Sequence, residues 1–222
     1  MYLSRNICLI FDVDGVIIDS NSVHTRTWQV YLQRLGREAG DLLSRMHGKR
    51  NDELVRDFIG GNLSEEEIFR HGAEKERLYR ELMAPQLRRR LVPGVIRFLE
   101  RHRHIRKGVA SNAEPANVDF VLDGSGLRRH FEVVVDGRQV TRAKPDPEVF
   151  LRAAGLLGAD PADCVVFEDS PAGLAAARAA GARTVAVNTS RVELEGAALV
   201  VDSFLDPKLE LWLQRHCSSP AD

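Results

Sequence analysis

Two aspartates, Asp12 and Asp14, leave the end of the apolar run Ile7-Cys8-Leu9-Ile10-Phe11 and enter a turn at Gly15. A short apolar run of this kind reads as a buried strand, and residues two apart on an extended backbone project to the same side. Both carboxylates are therefore expected to face one divalent cation or one substrate. Acidic groups at the mouth of a buried strand are costly unless something pairs with them or uses them. Gly15 lets the chain turn sharply away and leave such a site open. A calcium loop fits poorly, because it needs another acidic or amide residue ahead of its glycine and a glutamate at its twelfth position, where Val23 stands.

Three more polar clusters follow or lie downstream of β-branched runs: Ser111-Asn112, Lys144-Pro145-Asp146-Pro147 and Glu168-Asp169-Ser170. Together with the first pair they supply what phosphoryl transfer requires, which is neutralisation of three phosphoryl oxygens and alignment of nucleophile and leaving group. Lys144 offers a point charge, Ser111 a hydroxyl donor and Asn112 an amide. Asp12, Asp14, Glu168 and Asp169 offer a hard oxygen site suited to Mg2+. Taken singly, Ser111-Asn112 also reads as a helix cap and Lys144 as a surface loop charge.

These clusters share one surface only if the runs before them are parallel strands. Strands are expected at 108–110, 133–135, 164–167 and 184–187, with a short addition at 199–201, and helices near 116–122, 147–157 and 171–180. That alternation predicts right-handed crossovers and a doubly wound, Rossmann-like parallel sheet of the α/β class, with ligands at the carboxyl ends of its strands. Between 20 and 91 no strand pattern is evident. Val23, Trp28, Tyr31, Leu32 and Leu35 recur at helical spacing, a second helix is expected at 51–59, and Ser64 with Glu67 forms a capping box for a third that runs toward Met83. The domain reading is a core of 1–20 and 88–222 carrying an inserted helical cap at 21–87. A carboxy-terminal helix near 209–213 is expected to pack on the sheet, and residues 218–222 to fray.

Composition sets bounds on function. The 222 residues are 44% hydrophobic with a formal charge of -1, enough for a packed core and against a broad basic surface for nucleic acid. Arg88-Arg89-Arg90 and Arg101-His102-Arg103 read as solvated helix faces. Cys8, Cys164 and Cys217 form no CxxC pair, and Cys8 and Cys164 fall in apolar runs, as buried thiols in a reducing compartment would. No segment has transmembrane length and the amino-terminal run is too short for a signal peptide, so a cytoplasmic protein with no membrane partner is expected. A monomer is expected, with a homodimer left open.

In order along the chain, Asp-x-Asp-Gly at 12–15, Ser-Asn at 111–112, Lys-Pro at 144–145 and Glu-Asp-Ser-x-x-Gly at 168–173 resemble the signature of the haloacid dehalogenase superfamily of phosphotransferases. The resemblance implies that Asp12 attacks phosphorus and becomes an aspartyl phosphate, and that Asp14 is the general acid and base. Asp14 also separates this chain from the dehalogenases and phosphonatases of the superfamily, which carry a different residue there. Asp19, beyond the glycine, is expected to brace the turn. The helical insert resembles a mobile cap that excludes water and reads the substrate. Within it His24 and Trp28 match the His-x-x-x-Trp of the β-phosphoglucomutase branch, with Gly48, Arg50 and Lys75 as further substrate contacts. Gly48-Lys49-Arg50 leaves one residue between glycine and arginine where that branch has two. His24 also reads as a helix-start residue, and Lys75 as part of a solvated helix face. The expected activity is a Mg2+-dependent phosphatase acting on a small phosphorylated metabolite, a sugar phosphate foremost. A β-phosphoglucomutase-type mutase is the alternative, and a non-enzymatic phosphate-binding protein a further one.

Overall fold

The structure is a computed structural model, described over residues 7–46, 51–60 and 62–217. The chain forms two compact units, one of Met1–Asp19 with Arg90–Asp222 and one of Ser20–Arg89. The expectation of fraying at 218–222 lies outside the described residues.

The first unit is built on a parallel sheet of β1 (Cys8–Phe11), β2 (Arg106–Ala110), β3 (Val133–Val135), β4 (Cys164–Glu168), β5 (Arg183–Val187) and β6 (Leu199–Val201). Their spatial order is β3-β2-β1-β4-β5-β6, every neighbouring pair being parallel. This is the doubly wound α/β arrangement, and its strand order reverses between β1 and β4, where such sheets open a crevice. Alternation along β1 sends Cys8 and Ile10 into a cluster with Val149, Phe150, Ala153, Ala176 and Ala177 on one face. Phe11 goes to the other face, stacked on Phe167 at 4.7 Å and edge-on to Phe98 and Phe131.

The helices, in chain order, are α1 (Asn21–Arg34), α2 (Leu42–Met46), α3 (Asn51–Ile59), α4 (Glu65–Met83), α5 (Val95–Arg101), α6 (Pro115–Ser125), α7 (Glu148–Leu156), α8 (Pro171–Ala179) and α9 (Pro207–Cys217). The second unit holds α1 to α4 around Trp28, Leu32, Leu54, Val55, Phe58 and Leu78. The capping box at Ser64 and Glu67 is present: Glu67 N donates to Ser64 Oγ at 3.3 Å and Ser64 N to Glu67 Oε2 at 2.8 Å. In the first unit α9 packs on β6 through the buried Leu209 and Leu213.

The structure departs from the sequence reading in three places. Strand β2 starts at Arg106, two residues ahead of the expected start, because Lys107 is buried with its Nζ donating to the carbonyls of His102 and Ile105 at 2.5 and 2.8 Å. His102 is not on a solvated face: it is buried beside Phe98, with Glu210 3.1 Å from its Nε2. Helix α2, too short to show a period, was not expected. Cys8, Cys164 and Cys217 are buried free thiols, and no helix among the described residues is long and apolar enough to cross a membrane.

Candidate active site

Strand register brings the acidic clusters together. Phe11 is level with Phe167 and Val109, so Asp12 emerges beside Glu168 and Ala110, and Asp12 N donates to Phe167 O at 3.0 Å. Asp12 continues the alternation of Cys8 and Ile10, and Glu168 that of Cys164 and Val166, so both side chains leave on the face that carries Phe150. Lys144, in the loop before α7, enters between them. Its ammonium donates to Asp12 Oδ1 at 2.7 Å, to Glu168 Oε1 at 2.6 Å and to Ala110 O at 3.1 Å, and lies 4.8 Å from the centroid of the Phe150 ring. Asn112 Oδ1 accepts from Lys144 N at 3.3 Å, and Ser111 Oγ accepts from Ala113 N at 3.1 Å. Thus Asp12, Ser111, Asn112, Lys144, Glu168 and Asp169 all stand at the carboxyl ends of the sheet or on the loop that returns to it.

The two motif glycines have steric reasons. Gly15 has φ 74°, and a Cβ there would fall 1.9 Å from Asp169 Oδ2, so the Asp169 carboxylate rests against the Gly15 backbone. The turn that follows Asp14 is closed by Gly15 N donating to Ile18 O at 2.7 Å. A Cβ on Gly173 would fall 1.9 Å from Glu168 Oε1, so only glycine lets the start of α8 approach that carboxylate. Ser170 caps α8 by accepting from Gly173 N at 3.1 Å.

Glu168, expected among the cation ligands, is committed elsewhere. Its Oε1 takes the Lys144 ammonium, and its Oε2 accepts from Asp169 N, Ser170 N and Ser170 Oγ at 2.9, 3.0 and 3.0 Å. It orients Lys144 and the turn after β4. Asp19, expected to brace the turn, has Arg90 Nη1 3.5 Å from its Oδ2.

Two carboxylates, Asp12 and Glu168, share the ammonium of Lys144, and Asp14 is near enough to act on Asp12. Burial, together with the neighbouring Glu168 and Asp14 carboxylates, pushes the Asp12 carboxyl up to about 7, against the downward pull of Lys144. Burial acts to lower Lys144, but Asp12 and Glu168 together raise it above the ordinary lysine range. A divalent cation takes hard oxygen ligands, and a set of carboxylates suits it by chemistry. Among the described residues no three His, Cys, Asp or Glu side chains stand ready as a metal cluster, so the fit rests on charge and ligand chemistry.

The residues expected to read the substrate lie in the second unit. Lys75 is 3% exposed and not on a solvated face. Its ammonium lies 3.0 Å from His24 Nδ1, donates to Glu76 Oε1 at 2.8 Å and sits 5.4 Å from the Trp28 ring centroid. The His24 ring stacks on Tyr79 at 3.9 Å. An ammonium donor leaves Nδ1 as the acceptor, which assigns the His24 proton to Nε2. Gly48 and Arg50 lie outside the described residues.

The family model for haloacid dehalogenase-like hydrolases matches residues 8–181. The chain belongs to the haloacid dehalogenase-like hydrolases. Among its relatives in that family, a β-phosphoglucomutase of Bacillus subtilis strain 168 is 32% identical over 214 residues, which cover 91% of this chain and 92% of that protein. Hexitol phosphatase A of Escherichia coli K12 is 34% identical over 186 residues, covering 81% of this chain and 82% of the phosphatase. The crystal structure of a β-phosphoglucomutase from Clostridium difficile superposes with a TM-score of 0.83 at 28% identity, covering 96% of this chain and 97% of that one. This haloacid dehalogenase-like hydrolase is thus similar to both phosphatases and phosphomutases of sugars and sugar alcohols. The sequence reading missed one polar segment at the site, Asn188-Thr189-Ser190 after β5, whose residues carry no charge to draw attention.

Proposed function

We propose that the protein is a Mg2+-dependent phosphatase that hydrolyses a small phosphomonoester, with sugar phosphates as the substrate class, by way of a phosphoryl group carried on Asp12. The observation that carries this reading is the buried Asp12 carboxylate at the strand-order reversal, bonded to Lys144 and crowded by the Glu168 and Asp14 carboxylates.

An Asp12 oxygen attacks phosphorus while the bond from phosphorus to the ester oxygen breaks. Asp14, protonated at this stage, gives its proton to the leaving alcohol. Asp14, now a carboxylate, takes a proton from water as the water oxygen attacks the phosphoryl group; the bond to Asp12 breaks, phosphate leaves and both aspartates return to their starting states. Ser111 offers a hydroxyl donor and Lys144 a positive charge to the phosphoryl oxygens, Asn112 holds the Lys144 loop, and Glu168 keeps the Lys144 ammonium in place. Asp12 and Asp169 would hold the cation, which would neutralise phosphoryl charge and shield an anionic nucleophile from an anionic substrate.

A second reading is a sugar phosphomutase, in which a sugar hydroxyl takes the place of water. It is favoured by the likeness to β-phosphoglucomutases and by the buried Lys75–His24 pair at positions that resemble that branch. Hydrolysis is preferred because water needs no special geometry, while a mutase must exclude it, and because the spacing of Gly48 and Arg50 departs from the mutase pattern.

With Mg2+ and an aryl phosphate, Asp12→Asn is expected to lower turnover at least about 1,000-fold. Turnover that survives the substitution would overturn the assignment of Asp12. Supplying β-glucose 1-phosphate with a trace of the bisphosphate then separates the readings: free phosphate supports hydrolysis, and glucose 6-phosphate without phosphate release supports the mutase.

A further inference from the structure

The segment Asn188-Thr189-Ser190 leaves β5 at the active-site end of the sheet. Asn188 N donates to Val201 O at 2.8 Å and Thr189 N to Val187 O at 2.9 Å, which roots the segment on β5 and β6. From there two hydroxyls reach two different catalytic loops. Thr189 Oγ1 donates to the carbonyl of Gly15 at 2.7 Å, and Ser190 Oγ donates to the carbonyl of Asp169 at 3.0 Å. The Gly15 backbone in turn lies against the Asp169 carboxylate, since a Cβ on Gly15 would come within 1.9 Å of it. The contacts close a ring through Gly15, Asp169, Ser190 and Thr189.

We propose that Thr189 and Ser190 are positioning residues that fix the separation between the Asp12–Asp14 turn and Asp169, and so tune the affinity of the site for a divalent cation. This rests on the cation-assisted reading given above. The physical reason is the narrow tolerance of the ion. Mg2+ holds oxygen ligands at about 2.1 Å in near-octahedral geometry, so a few tenths of an ångström between two ligand loops change its binding. Loss of either hydroxyl releases one carbonyl and lets Gly15 and Asp169 move relative to each other. Neither hydroxyl touches a carboxylate oxygen directly; each acts through the backbone that carries it, as outer-shell partners of metal ligands do.

The test uses Mn2+ as the probe, with free Mn2+ followed by electron paramagnetic resonance during titration of the full-length chain, and melting by circular dichroism without cation. Thr189→Val combined with Ser190→Ala removes both hydroxyls at nearly constant volume, Thr189→Ser keeps the hydroxyl, and Asp169→Asn removes a proposed ligand. The double variant is expected to bind Mn2+ on the order of tenfold more weakly, with a cation-free Tm within about 3 °C of the wild type. Thr189→Ser is expected to bind as the wild type does. Wild-type Mn2+ affinity in the double variant overturns the proposal while leaving the proposed function intact. A loss of affinity accompanied by a collapse of the cation-free Tm overturns it as well, since the hydroxyls would then serve the fold alone. A wild-type chain that binds no Mn2+, or binds it as Asp169→Asn does, removes the proposal and the cation-assisted reading together.

Discussion

Lys144 is largely shielded from solvent. It is 8% exposed, and its ammonium is held by Asp12, Glu168 and the carbonyl of Ala110. Breaking a buried pair by removing one member leaves an uncompensated charge, which is far more damaging than never having had the pair. Here removal would leave two adjacent carboxylates with no counter-charge between them. Because its partners raise the pKa of Lys144 above the unfolded value, its contribution is fully present below the ordinary lysine range and is lost only as pH rises through the folded value. At pH 8 without cation, Lys144→Met is therefore expected to lower the unfolding free energy by about 3 kcal/mol, read by urea denaturation. Wild-type stability in that variant would show that Lys144 does not compensate the carboxylates. The motif that contains Lys144 was readable in the sequence, but the division of labour was not. Glu168 and Asp169 are adjacent acidic residues and look equivalent as letters. They differ because strand parity sends Glu168 to the Phe150 face, where Lys144 and the start of α8 occupy both of its oxygens.

Among the elements, β2 shows where pattern reading stops. Its apolar half, Gly108-Val109-Ala110, was legible, while Arg106 and Lys107 read as loop because charge seldom goes inside. Lys107 is nevertheless 2% exposed, its ammonium satisfied by two carbonyls. The capping box of α4 was legible because both partners are three residues apart. The hydroxyls of Thr189 and Ser190 were not, because their acceptors at Gly15 and Asp169 become neighbours only through the register of β1, β4 and β5. Burial lowers Lys107 to about 8, with Glu132 and Glu100 opposing. A lysine lowered in the folded state gives up its proton there first, so between about 8 and the unfolded value the unfolded chain binds more protons and stability rises with pH. The difference in unfolding free energy between wild type and Lys107→Met should therefore widen in favour of the wild type from pH 7 to pH 9.5, by about 1–2 kcal/mol. Paired urea titrations at the two pH values measure it. A constant or shrinking difference would mean that the buried ammonium keeps its proton throughout.

For the molecule as a whole, the decisive feature is where the chain leaves the sheet-bearing unit and where it returns. Asp19 N donates to Arg90 O at 2.8 Å, Val92 N donates to Ile17 O at 3.0 Å, and Ile18 bridges Leu91, so the two crossings run side by side. Among the described residues every strand lies in the unit formed by Met1–Asp19 and Arg90–Asp222, which has its own apolar clusters, while Trp28, Leu32, Val55 and Leu78 form a separate cluster in Ser20–Arg89. A unit whose chain ends already touch loses little closure entropy when a long insert is replaced by a short link. A chain in which 20–89 are replaced by a short Gly-Ser linker is thus expected to keep a mixed α/β circular dichroism spectrum and a cooperative melt. If the helical insert selects the substrate, the same chain should still turn over an aryl phosphate with Mg2+ while losing its discrimination among sugar phosphates, seen as kcat/KM values that converge across a panel. A molten or aggregated product would show that the sheet unit needs the insert to fold. A well-folded product with unchanged selectivity would move substrate recognition from His24 and Lys75 to the loops around Ser111 and Lys144.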